Sequence, residues 1–261
     1  MENTKNTIAA IIKTANSEKY LCNTLESIKE LDEVFIIDEN STDDTIAIAK
    51  EYKTKIIYSN KGELLTALEQ ALQESKSEWV FVIQDREIIP QKLIYEIKKY
   101  TSSPKKNKNA LTVPLKTFYF GNEIKSSSKK KLLRIFKKGA CIFTNNHSIT
   151  EIKLKQGKIH NINPNFKLKN GYILSYFEND IAKNLNNILE KNKIKLKTIE
   201  KTNFSIFYKP IFAFLKNYFL KGGIFDGRWG YILSVQKFIE EFSMQLMIKN
   251  KDFKGENNDI W

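Results

Sequence analysis

Between residues 8 and 100 the chain alternates continuous apolar runs with helical stripes, and this rhythm limits the fold more than any other feature. The runs are "IAAIIKT" (8–14), "EVFIIDE" (33–39), "KIIY" (55–58) and "WVFVI" (79–83). None alternates apolar with polar residues, so each reads as a strand covered on both faces. "SEKYLCNTLESIKE" (17–30) lies between the first two and sets Leu21, Leu25 and Ile28 on one helical stripe. "STDDTIAIAKEY" (41–52) has Ser41 in the position of an N-cap and two acids in its first turn. "ELLTALEQALQES" (63–75) is a third helix, and "PQKLIYEIKKY" (90–100) a fourth that opens on Pro90. The β-α-β-α-β-α-β order predicts an α/β fold: a mostly parallel sheet with helices on its flanks.

After residue 100 the rhythm ends. "TSSPKKNKN" (101–109) and "SSSKKK" (126–131) are basic loops, "ALTVPLKTFYFGNEI" (110–124) is extended, and "LLRIFKKGACIFT" (132–144) predicts paired strands around Gly139. "ENDIAKNLNNILEKNK" (178–193) predicts a helix. Two aromatic-rich stretches, "FYKPIFAFLKNYFL" (207–220) and "WGYILSVQKFIEEFSMQLMIK" (229–249), predict a C-terminal helical hairpin. In the second, Ile232, Val235, Ile239, Phe242 and Leu246 recur at helical spacing. Gly222, Gly223, Gly227 and Gly230, in the connection, are expected to serve turns and close packing. Three regions are expected: 1–100, 101–200 and 201–261.

Charge is divided unevenly. Residues 1–100 carry 13 Lys and Arg against 18 Asp and Glu, whereas residues 101–261 carry 30 against 12. A basic half of this size is attracted to an anionic partner. No nucleic-acid-binding module is recognisable, so nucleic acid is not the expected partner. Cys22 and Cys141 have no metal or redox spacing, and two histidines, His147 and His160, make a histidine zinc site improbable. No signal-peptide pattern opens the chain, and no window reaches the ~18 apolar residues of a spanning helix, so a cytoplasmic location is expected.

Ligands of open parallel sheets bind beyond the carboxyl ends of the strands. Three strands end in polar residues: strand one in Thr14, Asn16, Ser17 and Glu18; strand two in Asp38, Glu39, Asn40 and Ser41; strand four in Gln84, Asp85, Arg86 and Glu87. Each set, taken singly, is an ordinary turn or helix cap. Together they favour a small-molecule site. Neither a G-x-G-x-x-G nor a Walker-type phosphate loop occurs, which excludes those two ways of holding a nucleotide.

"IIKTANSEKYLCNTLESI", "DEVFIIDENSTDDTIAIAKEY" and "SEWVFVIQDREIIP" together resemble the nucleotide-binding half of the family 2 glycosyltransferases, "VFIIDENSTDDT" being the most specific block. The resemblance implies the GT-A (Rossmann-like) fold and inverting transfer of a sugar from a nucleotide-sugar donor. "FYKPIFAFLKNYFLKGGIFDGRWGYI" (207–232) is similar to the tail of the branch that decorates the lipopolysaccharide inner core. That implies a lipopolysaccharide, lipooligosaccharide or other glycan acceptor, a role in cell-envelope biosynthesis, and a place at the cytoplasmic face of the inner membrane. By the same resemblance, Thr14, Asn16 and Glu18 would surround the nucleotide, Asp38 would bind the base, and Asn40 and Ser41 would shape its pocket.

The family's strand-four tip reads Asp-x-Asp-Glu, and its second Asp helps hold a divalent metal on the diphosphate. Here Gln84 and Arg86 stand at the two aspartate positions. Three arrangements remain open. Asp85 and Glu87 could form a shifted pair that still binds Mg²⁺ or Mn²⁺; Arg86 could take the metal's place by clamping the diphosphate; or catalysis could be lost, leaving a non-catalytic glycan- or partner-binding protein. Inverting transfer needs a base for the acceptor hydroxyl, and Glu87, Glu151 and Asp180 are the candidates. A nucleotidyltransferase is disfavoured because its glycine- and lysine-rich N-terminal loop is absent. The aromatic, lysine-bearing tail suggests contact with an anionic membrane surface.

Overall fold

The computed structural model describes residues 6–60, 62–102, 108–119, 122–126, 131–144, 152–155, 157–162, 168–172 and 205–256. The chain divides into two compact units, one formed by residues 1–116 and 129–171 and the other by 117–128 and 172–261.

The first unit is built on a parallel sheet in the order β3 (Lys55–Tyr58), β2 (Glu33–Asp38), β1 (Ile8–Thr14), β4 (Trp79–Gln84). The chain runs outward from β1 through β2 to β3, then returns to place β4 on the other side of β1. Strand order therefore reverses between β1 and β4, at the carboxyl ends of both. Antiparallel β8 (Lys131–Lys137) adds to β4, and β6 (Lys108–Tyr119) adds to β8; the short β5 (Glu87–Ile88) and β7 (Asn122–Ile124) come before and after β6 in the chain. The hairpin expected around Gly139 is not formed. β8 inserts into the main sheet, while β9 (Cys141–Phe143) pairs with β10 (Ile152–Leu154) in a separate two-stranded sheet. The apolar "LLRIF" run finds more burial between β4 and β6 than a local hairpin would supply.

Two apolar layers cover the sheet. One packs Ile8, Ala10 and Ile12 with Leu21 and Leu25 of α1 (Glu18–Ser27) and with Leu93, Ile94 and Ile97 of α4 (Gln91–Thr101). The other packs Ala9, Ile11, Phe35 and Ile37 against Leu64, Leu68 and Ala71 of α3 (Leu64–Glu74). Successive residues of β1 thus enter opposite layers, which is why the strand is apolar throughout. The helix expected from Ser41 starts later: α2 spans Thr45–Glu51 with Asp44 at its N-cap. The helix expected over 178–193 lies outside the described residues.

In the second unit, α5 (Ser205–Leu215) continues into a π-turn (Lys216–Leu220), a 3₁₀ turn (Gly223–Asp226) and the long α6 (Gly227–Glu256). Gly222 and Gly227 turn the chain at φ 82° and 58°, conformations that side chains other than glycine rarely adopt. The helical pair expected at the C-terminus is present. Phe214 of α5 packs edge-on to Tyr231 of α6, and Asn217 Nδ2 donates to Ser234 Oγ at 3.1 Å. Asp226 accepts the backbone N–H groups of Lys125 and Ser126 at 2.8 and 3.0 Å.

Candidate functional site

The three polar tips lie side by side because their strands are neighbours. Thr14 is in register with Asp38, and Lys13 with Gln84. Asp38 is buried at the end of β2. Its Oδ1 accepts from Thr14 Oγ1 at 3.0 Å and from Ser41 Oγ at 2.5 Å, and its Oδ2 accepts from Ser41 N at 2.9 Å. Ser41 therefore does not cap a helix. Its side chain turns back to a buried carboxylate that needs donors, and also accepts from Asn16 N at 2.9 Å. Asn16 Oδ1 accepts from Thr42 N at 2.9 Å. Asn16 and Asn40 both occupy the left-handed region, at φ 51° and 54°, which asparagine tolerates better than most residues.

Thr14, Asn16, Asp38 and Ser41 thus form one hydrogen-bonded cluster. Glu18 joins through the next loop: its N–H donates to Asp43 Oδ2 at 3.1 Å, and its Oε2 accepts from Asp44 N at 3.3 Å. Burial opposes ionisation of Asp43, but bonds from Thr45 and from the Glu18 amide hold its carboxyl below the usual range. Asn40 stands apart from this cluster, its Nδ2 directed at Asn60 Oδ1 at 3.4 Å.

Ser17 connects the cluster to the β4 tip. It is the N-cap residue of α1, yet its hydroxyl makes no bond to that helix. It donates instead to Asp85 Oδ2 at 2.5 Å, and Thr24 Oγ1 donates to the Asp85 carbonyl at 2.7 Å. Asp85 Oδ1 lies 3.6 Å from Arg86 Nε. Asp85 and Arg86 are therefore held at the edge of the cluster formed by β1 and β2.

Glu87 has a different setting. Its side chain is 0% exposed; Oε1 pairs with Arg134 Nη2 at 2.9 Å, and Oε2 accepts from Gln84 N at 2.9 Å. Burial pushes its carboxyl above the usual range, against the opposing influence of Arg134 and the Gln84 amide. Both oxygens are bonded inside the protein and the side chain is closed to solvent, so an acceptor hydroxyl does not reach this carboxylate as it stands. Glu151 and Asp180 lie outside the described residues, as does His147. Arg134, which sequence reasoning missed, is 2% exposed in the middle of β8. Its one sequence signal is a charge within the apolar run "KLLRIFK".

The Mg²⁺ or Mn²⁺ expected on Asp85 and Glu87 does not fit this donor set. Hard cations need several oxygen ligands within reach, but Glu87 is closed to solvent and paired with Arg134, and Asp85 is held by Ser17 and faces the Arg86 guanidinium. Among the described residues no group of three or more His, Cys, Asp or Glu side chains is arranged to hold a metal ion.

A parallel α/β sheet with a reversal of strand order, polar tips at that reversal and an antiparallel extension is the arrangement of the GT-A fold. The glycosyl transferase family 2 model matches residues 9–162, and the chain belongs to that family. It is 26% identical to an uncharacterized glycosyltransferase of Rickettsia typhi over 96% of this chain and 89% of that protein. A glycosyltransferase of Rickettsia prowazekii is 25% identical with the same coverage. Among solved structures, the fold matches S. aureus TarS 1–349 in complex with UDP at TM-score 0.51 and 15% identity, over 95% of this chain and 92% of that one. The same protein with UDP-GlcNAc matches at TM-score 0.50 and 15% identity, over 90% and 81%. The protein is a glycosyltransferase.

Proposed function

We propose that the chain transfers a sugar from a nucleotide-sugar donor to a glycan acceptor with inversion, and that the acceptor is a glycolipid of the lipopolysaccharide or lipooligosaccharide type reached from the cytoplasmic face of a membrane. One observation carries the reading: the tips of β1, β2 and β4 meet where strand order reverses, joined by hydrogen bonds from Thr14 through Asp38, Ser41 and Asn16, with Ser17 reaching Asp85. This is where an open α/β sheet receives a nucleotide. TarS, which shares the fold, has been crystallised with UDP and with UDP-GlcNAc.

In this reading Thr14, Asn16, Glu18, Asp38, Asn40 and Ser41 surround the nucleoside. Arg86, at the position of the family's metal-holding aspartate, takes the diphosphate. A guanidinium offers paired donors to phosphate oxygens and keeps its charge at every physiological pH. The acceptor oxygen attacks the anomeric carbon while the bond from that carbon to the diphosphate breaks. The nucleoside diphosphate leaves with the bonding electrons, and Arg86 offsets the charge that develops on it. The acceptor proton passes to a carboxylate, with Glu151 and Asp180 the candidates. Glu87 fixes the shape of the corner from within.

Thermal unfolding of the protein with UDP-sugars, with and without Mn²⁺, tests the reading, because a ligand that binds the folded state raises the melting temperature. A rise that needs no metal and disappears in Arg86→Ala is expected. A rise only with Mn²⁺ would refute the arginine clamp. No response to any sugar nucleotide would point instead to a binding protein that has lost catalysis. Mass analysis of the cell's lipooligosaccharide after deletion of the gene tests the acceptor.

A further inference from the structure

Among the described residues nothing covers the outer face of α5 and of the turn after it, and that face is apolar. Phe207, Ile211 and Leu215 follow one another at four-residue spacing with Phe212 beside them, and each is about half exposed. The side of α5 turned away from this stripe is the one that packs: Pro210 is buried there, and Asn217 in the following turn bonds Ser234, while Phe214, at the border of the stripe, meets Tyr231. The apolar stripe then continues to the tip of the hairpin, where Leu220 is 77% and Phe225 82% exposed. A contiguous exposed patch of this kind marks an interaction surface.

Charge selects the partner. From residue 205 to 231 the chain carries Lys209, Lys216, Lys221 and Arg228 against one acid, Asp226. That acid is turned inward to accept the amides of Lys125 and Ser126. A second copy would oppose four like charges to four. An anionic lipid surface would accept both the apolar side chains and the cations around them.

We infer that this face seats the protein on anionic lipid, with Leu220 and Phe225 entering the boundary between headgroups and acyl chains and the basic residues resting among the phosphates. The inference deepens the glycolipid reading by naming the surface on which the acceptor is met, and rests on that reading only for the choice of membrane side.

Co-sedimentation of the full chain with vesicles tests it. Binding to phosphatidylcholine vesicles containing phosphatidylglycerol is expected, with little binding to phosphatidylcholine alone and weakening as salt rises. In Leu220→Ser/Phe225→Ser, partition should fall at least tenfold, since two large apolar side chains no longer enter the lipid. Both residues are too exposed to hold the fold together, and unchanged circular dichroism melting would verify that. Absence of binding to anionic vesicles, or equal binding by the double variant, would overturn the inference. Light scattering that shows a dimer dissociated by the same substitutions would also overturn it, in favour of a second copy. The response to UDP-sugars without vesicles should survive in the double variant, so failure of the membrane inference and failure of the donor reading are separable.

Discussion

Arg134 and Glu87 form an ion pair from which solvent is excluded: Nη2 and Oε1 are 2.9 Å apart and the two side chains are 2% and 0% exposed. The pair spans from the middle of β8 to the corner after β4. Because Glu87 also accepts the Gln84 amide, it fixes the turn that presents Asp85 and Arg86. Arg134 Nε and Nη1 are buried with no hydrogen-bond acceptor among the described residues, so Glu87 is the main compensation for its charge.

Removing one member of such a pair should cost far more than removing both. Arg134→Met leaves an unpaired buried carboxylate and is expected to lower stability by about 3–5 kcal/mol. In Arg134→Met/Glu87→Gln no buried charge remains, and at least half of that loss should return. Urea denaturation of the two single variants and the double variant measures this directly. Additive losses would show that the two side chains do not act as a pair.

Arg86 should determine affinity for the diphosphate. Charge-assisted hydrogen bonds contribute about 1.5–3 kcal/mol, so Arg86→Ala should weaken UDP binding roughly 10- to 100-fold, at about 1.4 kcal/mol per tenfold. Arg86→Lys keeps the charge but loses the paired geometry and should fall between. Titration calorimetry with and without Mn²⁺ checks both. Full affinity in Arg86→Ala would remove this residue from the site.

The frame of this site was legible in the sequence because burial on two faces forces strands to be apolar without interruption. Once those strands were placed, the polar residues at their ends could be no other tips than Thr14–Glu18, Asp38–Ser41 and Gln84–Glu87. The use of each side chain was not legible. Ser17 and Ser41 have the spacing of helix caps, but the nearby buried carboxylates Asp85 and Asp38 outcompete the helix amides for them. Asp85 and Glu87 read as a pair because they are two residues apart. What separates them is Arg134, 47 residues further along the chain, which a local reading cannot connect to Glu87. The same limit applies to "LLRIF", whose strand partners are remote in sequence.

Glu33 predicts how stability varies with pH. Burial disfavours its charge, but Lys55, Ser77 and Ser75 together outweigh this and bring the carboxyl down from 4.5 to about 2. The backbone N–H groups of Lys76 and Ser77 add two bonds at 3.0 Å, tying the loop before β4 to the start of β2. A carboxyl lowered in the folded state stabilises above its unfolded pKa, and that contribution is lost as pH falls through the folded value. Wild type should therefore exceed Glu33→Gln by on the order of 2 kcal/mol at neutral pH. The gap should narrow below pH 4.5 and close near pH 2. A difference independent of pH in denaturant melts from pH 7 to 2 would rule this out.

Gly230 makes the last prediction because its surroundings leave no room for adjustment. A Cβ at this position would lie 1.8 Å from the Gly223 carbonyl oxygen and 2.6 Å from its carbon. Both are backbone atoms, so no rotamer change relieves the clash, and the hairpin itself must open. Ser234 Oγ, which donates to the Gly230 carbonyl at 2.6 Å and receives Asn217, would shift with it. On a free helix Gly→Ala stabilises by about 1 kcal/mol. Here Gly230→Ala should destabilise the helical pair by about 3 kcal/mol, the upper end of overpacking costs. Hydrogen exchange by mass spectrometry should show faster exchange across 205–246, with protection in β1, β2 and β4 unchanged. Protection of 205–246 equal to wild type would mean that the close approach of the two glycines is not what holds the helices together.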